Sequence, residues 1–225
     1  NDAATKANVE TLRQRGYHVM DPDIGALTSG DVGQGRFPET SRILEEFSAV
    51  AQLQSDLRGK KVLITAGGTR EAIDPVRFIG NLSSGKQGYA VARSALKRGA
   101  EVTLISANSN LPDIQGVKMI KVESADQMLK ALEDEFSQSD ILVMSAAVAD
   151  ARPVKLAEAK IKKSDFTNIA LIENPDLLQT ISARKTHQVI VGFAAETSEN
   201  LHAAQEKMRV KGADILYLND ISGGD

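Results

Sequence analysis

Apolar positions recur first at helical spacing and later gather into short runs separated by amphipathic stretches. In residues 3–15, Val9 and Leu12 stand three apart and predict a helix, and Tyr17-His18-Val19-Met20 predicts a short strand. Neither can close a core alone. From Ser29 to Arg36, three glycines fall within six residues, a backbone too free for regular structure, so a loop or flap is expected there. Ile43, Leu44, Phe47, Val50 and Leu53 recur at spacings of three and four, predicting a connecting helix over 39–57 that ends before Gly59. Beyond residue 60 the pattern becomes short apolar runs at 62–65, 102–105, 117–122, 141–144, 189–193 and 215–218. Amphipathic stretches at 85–98, 125–136 and 200–211 alternate with them. Short strands buried on both faces, joined by helices, specify a mostly parallel sheet in a three-layer α/β/α, Rossmann-like domain. Right-handed crossovers wind it. The polar, lysine-rich stretch 150–173 lacks helical periodicity and reads as a loop or β-flap over the site or at an interface.

Composition narrows the function classes. The chain has 225 residues, 42% hydrophobic and 25% charged, enough for one main domain and an appendage. Its net charge is −3 with basic residues dispersed, which excludes a broad electrostatic footprint for duplex nucleic acid or anionic membrane. Phosphate recognition has to be local. There is no cysteine, so disulfides, thiolate metal sites and cysteine nucleophiles are excluded together, and a reducing compartment, the cytoplasm, is expected. No apolar run approaches the length of a membrane span, and no signal peptide is read at the N-terminus.

In parallel sheets, ligands bind beyond the carboxyl ends of strands, and the candidate chemistry falls there. Asn81-Leu82-Ser83-Ser84-Gly85-Lys86 opens a helix with hydroxyls, an amide, close backbone N–H groups and one cation, the parts of an anion cradle; a Ser N-cap beside a solvated lysine is the structural alternative. Residues 80–86 fit G-x-x-x-x-G-K, but Gln87 stands where a P-loop needs Ser or Thr for Mg2+. A dinucleotide fingerprint fails as well: the third glycine after Gly67-Gly68 is missing, and Ser106-Ala107-Asn108 supplies no acid for a ribose diol. Asp150 closes a small-residue turn, where it could bind a sugar hydroxyl or a phosphate-bound Mg2+, or cap a helix. Lys207 and Lys211 share a helix face that could clamp a polyphosphate or simply be wet. His18, His187 and His202 have no metal spacing.

Six strings stand in order: Ala66-Gly67-Gly68-Thr69-Arg70-Glu71 to Asp74-Pro75-Val76-Arg77, Asn81-Leu82-Ser83-Ser84-Gly85-Lys86-Gln87-Gly88, Ala146-Ala147-Val148-Ala149-Asp150, Lys160-Ile161-Lys162-Lys163, Asn174-Pro175-Asp176 and Gly192-Phe193-Ala194-Ala195-Glu196-Thr197. Together they closely resemble phosphopantothenoylcysteine synthetase. Residues 4–16 and 27–36 resemble the end of phosphopantothenoylcysteine decarboxylase, a flavoprotein fused ahead of the synthetase in many bacteria. The resemblance divides the chain into 1–40, a fragment and flap of the decarboxylase; 41–59, a connecting helix; and 60–225, a ligase domain whose C-terminal end is expected to be missing. Ser29 occupies the flap position where many decarboxylases carry a cysteine proton donor. A hydroxyl is a far weaker acid than a thiol, so decarboxylation, with its FMN, is expected only with the flavin domain.

The resemblance implies CTP-dependent joining of 4'-phosphopantothenate to L-cysteine through an acyl-cytidylate, in coenzyme A biosynthesis, by a homodimer. It assigns Asn81 to the acyl-transfer step and Lys160, Lys207, Lys211 and Mg2+ to the triphosphate. The cytosine pocket is expected from Met144, Ser145, Ala146, Pro175, Asp176, Leu177, Leu178 and Phe193, with Gly67, Gly68, Ser83, Ser84, Gly85 and Asp150 near the nucleotide. Two other classes stay open, an NAD(P)-binding reductase and a non-catalytic nucleotide-binding regulator.

Overall fold

The computed structural model describes residues 2–26, 32–53, 55–164, 166–196, 206 and 208–220. The chain divides into two compact units, 1–56 and 57–225. In the first, α1 (Ala3–Gln14) is capped by Asp2, whose carboxylate accepts the Thr5 N–H at 3.1 Å. An antiparallel hairpin follows, β1 (Asp23–Ala26) with β2 (Val32–Arg36), and then α2 (Thr40–Leu53). The strand expected at Tyr17–Met20 does not form. The Tyr17 N–H turns back onto the Leu12 carbonyl at 3.1 Å, and the Val19 carbonyl accepts from Arg13, so no ladder partner is available.

The second unit is built on a six-stranded, all-parallel sheet. Its strands are β3 (Lys61–Gly67), β6 (Glu101–Ala107), β7 (Lys118–Val122), β8 (Ile141–Met144), β11 (Val189–Glu196) and β12 (Ile215–Asp220). They lie in the order β12-β11-β8-β3-β6-β7. Counted along the chain this is 6-5-4-1-2-3, the doubly wound Rossmann order, so the expected fold class holds. Successive residues of β3 alternate between two cores: Leu63 joins α4 (Ala125–Phe136) and α5 (Leu177–Ser182) on one face, and Ile64 joins α3 (Lys86–Lys97) on the other. Met128, Leu132 and Ile181 are fully buried in the first core, Ala92 in the second. Gly88 lets α3 approach β3 closely, since a Cβ there would lie 2.6 Å from the Ala66 Cβ.

Two hairpins stand off this sheet. The first pairs β4 (Arg70–Asp74) with β5 (Arg77–Gly80), and the second pairs β9 (Ala151–Pro153) with β10 (Leu171–Glu173) as the stem of the lysine-rich flap. The first hairpin is fastened by Glu71, 4% exposed, whose carboxylate takes the Ala125 N–H at the start of α4 at 2.9 Å. No helix among the described residues is long and apolar enough to cross a membrane.

Candidate active site

Strand order reverses between β3 and β8, and diverging connections leave a crevice beyond their carboxyl ends. Gly67 ends β3 at φ 83°, and a Cβ there would lie 1.9 Å from the Ala107 carbonyl oxygen, so this turn requires glycine. At Gly68 a Cβ would come within 2.5 Å of the Asn81 carbonyl oxygen. The two glycines thus let three loops close on one another.

The loop after β8, residues 145–150, is held on nearly every side. Thr65 Oγ1 accepts the Ser145 and Ala146 N–H groups, each at 3.1 Å. Ala147 exchanges main-chain bonds with the turn after β3, donating to Gly67 O at 2.8 Å and accepting from Thr69 N at 3.1 Å. Thr69 Oγ1, fully buried, accepts from Ala149 N at 2.9 Å. The Asn81 amide donates to Val148 O at 2.9 Å, and the Asn174 amide to Ala149 O at 2.7 Å. Arg152 orients Asn174 by donating to its Oδ1 at 2.7 Å, and the Asn174 N–H donates to Asp150 O at 2.8 Å. With its backbone committed in this way, the loop presents a pre-organised wall to the crevice. The Ser145 hydroxyl is buried and has no hydrogen-bond partner among the described residues, so this wall retains an unused polar group.

On the opposite rim, Gly85 precedes α3 at φ 76° with no side chain to cap the helix, while Ser84 Oγ takes the Lys86 N–H at 3.4 Å. Ser83 and Ser84 are exposed, and Ser84 O is held by the Ser109 hydroxyl at 3.1 Å. The first turn of α3 therefore opens beside two exposed hydroxyls, one of which already takes the Lys86 N–H, an arrangement suited to an anion. Asn108 closes the third side at φ 47°, its amide donating to Gly68 O and Glu123 O, both at 2.9 Å.

Asp176 caps α5, accepting the Gln179 N–H at 3.0 Å and pairing with Lys211 at 3.0 Å. Burial alone would raise its pKa, but the Gln179 amide and the Lys211 ammonium more than offset that, and the carboxyl lies below its ordinary value. Lys211 is thus brought to the start of α5, although already paired with a carboxylate.

The expected side-chain pocket is not assembled on one face. Met144 and Leu177, 9% and 3% exposed, belong to the core beneath α4 and α5, with Leu178 packed against it. Phe193 packs on the α3 side of the sheet and stacks on Tyr217 at 5.3 Å. Alternation along a strand causes this, because one-residue steps reverse the face a side chain takes. At 145–146 the N–H groups are taken by Thr65 Oγ1 and the Ser145 hydroxyl is buried beneath the loop. Pro175, Asp150 and Lys160 are exposed. Ser29 and Lys207 lie outside the described residues. Thr65 and Asn108 carry no sequence signal for these bonds, and Thr69, although it stands in the string 66–71, is marked as a loop-holding hydroxyl only by its burial in the fold.

Residues 57–225 match the family described as the DNA/pantothenate metabolism flavoprotein C-terminal domain. The coenzyme A biosynthesis bifunctional protein CoaBC of Mycobacterium tuberculosis (strain ATCC 25618 / H37Rv) is 48% identical over 242 residues, covering 98% of this chain and 57% of that protein. The chain therefore spans little more than half the length of this relative. The crystal structure of the C-terminal domain of a CoaBC protein is similar with a TM-score of 0.66 and 43% identity, over 73% of this chain and 79% of that one. A Cab2 variant complexed with phosphopantothenate-cysteine shares the fold at 20% identity, with a TM-score of 0.62 over 82% of this chain and 81% of its own. With the matched region covering the whole of the Rossmann-like unit and its crevice, this chain belongs to the family of the DNA/pantothenate metabolism flavoprotein C-terminal domain.

Proposed function

We propose that residues 57–225 form a ligase of coenzyme A biosynthesis that joins 4'-phosphopantothenate to L-cysteine at the expense of CTP. The observation that carries this reading is that Gly67-Gly68, Asn81 and the loop 145–150, far apart in sequence, are hydrogen-bonded together at the strand-order reversal. CoaBC relatives and the family membership agree with it.

In the first step a substrate carboxylate oxygen attacks the α-phosphorus of CTP; that O–P bond forms, the bond to the β-phosphate bridge breaks, and pyrophosphate leaves. In the second, the cysteine amine attacks the acyl carbon of the cytidylate, a C–N bond forms, CMP leaves with the electron pair of the C–O bond, and the amine loses a proton. Activation is needed because oxide and hydroxide are poor leaving groups. Lys160, Lys207 and Lys211 are the candidates to balance triphosphate charge, and Ser83, Ser84 and the N–H groups opening α3 offer a second anion site. Asn81 is the candidate donor to the oxyanion of the second step. Among the described residues no group of three or more acidic or histidine side chains could cage a metal. Mg2+ would therefore arrive on CTP, with Asp150 as its protein ligand, and would neutralise phosphate charge. CTP is preferred over ATP in this reading, because a site built to hydrogen-bond one base rejects another. FMN would serve only the decarboxylase chemistry implied by residues 4–36. Exposed Val76, Phe78, Leu171 and Ile172 on the two hairpins, with Val154 and Leu156 in the flap, support a homodimer.

The reductase reading is disfavoured because the position after β6 that would hold a ribose diol is occupied by Asn108, whose amide is spent on two carbonyls. Incubation with CTP, Mg2+ and 4'-phosphopantothenate, with and without cysteine, tests the proposal. Pyrophosphate should appear without cysteine and amide only with it. Tight CTP binding with no pyrophosphate would instead make the protein a regulator, and equal turnover with ATP would overturn the base preference.

A further inference from the structure

Residues 154–170 carry Lys160 and form no helix or strand among the described positions; the Val154 N–H bonds Ala170 O at 3.0 Å at the base of this arm, far from Lys160. Around Lys160 the hold comes chiefly from side chains. At the end of β4, Asp74 is 2% exposed; its Oδ1 accepts the N–H groups of Val76 and Arg77 at 3.0 and 2.9 Å. Its Oδ2 accepts from Arg77 Nε at 2.9 Å, from Arg77 Nη2, and from the Ile161 N–H at 3.2 Å. Arg77 Nη2 in turn donates to the Ile161 carbonyl at 2.8 Å, and its guanidinium lies over the Phe166 ring at 3.7 Å. A third tie joins Ala157 N to Ile73 O at 3.0 Å.

Both main-chain polar groups of Ile161 are thus captured by one ion pair, a buried carboxylate and a partly exposed guanidinium, 87 and 84 positions earlier in sequence. The Ile161 N–H belongs to the rigid peptide plane that contains the Lys160 Cα, so a bond to it restricts where the Lys160 side chain starts. Lys160 itself is exposed and otherwise free to swing on four methylenes. A long, mobile side chain needs such a fixed origin if it is to meet charge developing at one phosphorus atom.

We infer that Asp74 and Arg77 are positioning residues for Lys160, forming a latch that holds the flap through Ile161 and its Phe166 brace. The inference rests on the ligase reading, because only there does Lys160 meet a substrate. The hydrogen bond from Arg77 holds the Asp74 carboxyl at a pKa of about 2, against burial, so the latch is closed at any pH at which the reaction would be run.

The test compares the full chain with Asp74→Asn, Phe166→Leu, Lys160→Gln and the double variant Asp74→Asn/Lys160→Gln. Tryptic cleavage after Lys160, Lys162 and Lys163 should accelerate by about tenfold or more in Asp74→Asn, reporting a local opening and not global unfolding. For the same variant, kcat for pyrophosphate release should fall while equilibrium CTP binding stays the same. The double variant should be no slower than Lys160→Gln alone, because the latch acts through that lysine. Unchanged cleavage overturns the latch, whatever Lys160 does. Faster cleavage with additive kcat losses overturns the positioning role. If Asp74→Asn does not fold, Phe166→Leu, which keeps the ion pair and removes its brace, carries the same comparison. A wild-type chain that releases no pyrophosphate defeats the ligase reading instead, and the cleavage rates still decide the latch.

Discussion

The side-chain amide of Asn81 donates to the main-chain carbonyl of Val148 at 2.9 Å, joining the approach to α3 to the loop after β8. An amide NH2 carries two donors, so this bond positions the group and leaves the other for chemistry. Replacing Asn81 with Asp turns the donor into an acceptor facing a carbonyl and repels a developing oxyanion. Amide formation should fall by roughly 100-fold or more, with acyl-cytidylate accumulating. Quench-flow measurement of intermediate and product checks it. A parallel loss of pyrophosphate release would assign Asn81 to the first step.

Thr69 is fully buried and its hydroxyl is the acceptor for Ala149 N. Thr69→Val keeps the shape but strands that N–H, at a cost of about 1–3 kcal/mol. Thr69→Ser should retain most of the stability. Urea midpoints for the three proteins test this, and a valine variant as stable as wild type would show the loop finds another acceptor.

Lys211 lies 3.0 Å from Asp176 at the N-terminus of α5. If it also holds the CTP triphosphate, Lys211→Gln should raise the KM for CTP by roughly tenfold, the loss of one charge-assisted hydrogen bond, with a smaller effect on kcat. The same change removes a cation from Asp176, whose depressed pKa should rise. Steady-state kinetics and a carboxyl titration read these separately. An unchanged KM with a raised Asp176 pKa would confine Lys211 to the α5 cap.

Asp74 gives the β4–β5 hairpin, and its hold on the flap at Ile161, a pH dependence. Its carboxyl is lowered from 3.8 to about 2, chiefly by the hydrogen bond from Arg77. Between those values the unfolded chain binds more protons, so folding stability rises with pH there. The contribution is complete above about pH 4 and is lost as pH falls through about 2. Urea midpoints measured from pH 5 to pH 2 should fall more steeply for wild type than for Asp74→Asn. Parallel curves would mean that other carboxylates, such as Asp214, dominate acid unfolding.

What the sequence determined by itself was the set of elements whose periodicity is local. Helix α4 and strand β8 form at the boundaries their apolar spacing predicts, because each buries one stripe or one short run against the sheet. Their alternation dictated a parallel α/β domain, and the strand ends located the crevice. The short helix α5 escaped notice because only Leu177 and Ile181 are buried in it, too few for a period. Hairpin β4–β5 escaped because its ties, Glu71 to Ala125 and Asp74 to Ile161, run to residues 54 and 87 positions away. The face taken by Phe193, the pairing of Lys211 with Asp176 and the grip on loop 145–150 were likewise decided only by tertiary structure. Each depends on which hydrogen-bond donor and acceptor meet across strands in space, and a buried polar group accepts whichever partner satisfies it, however distant in the chain.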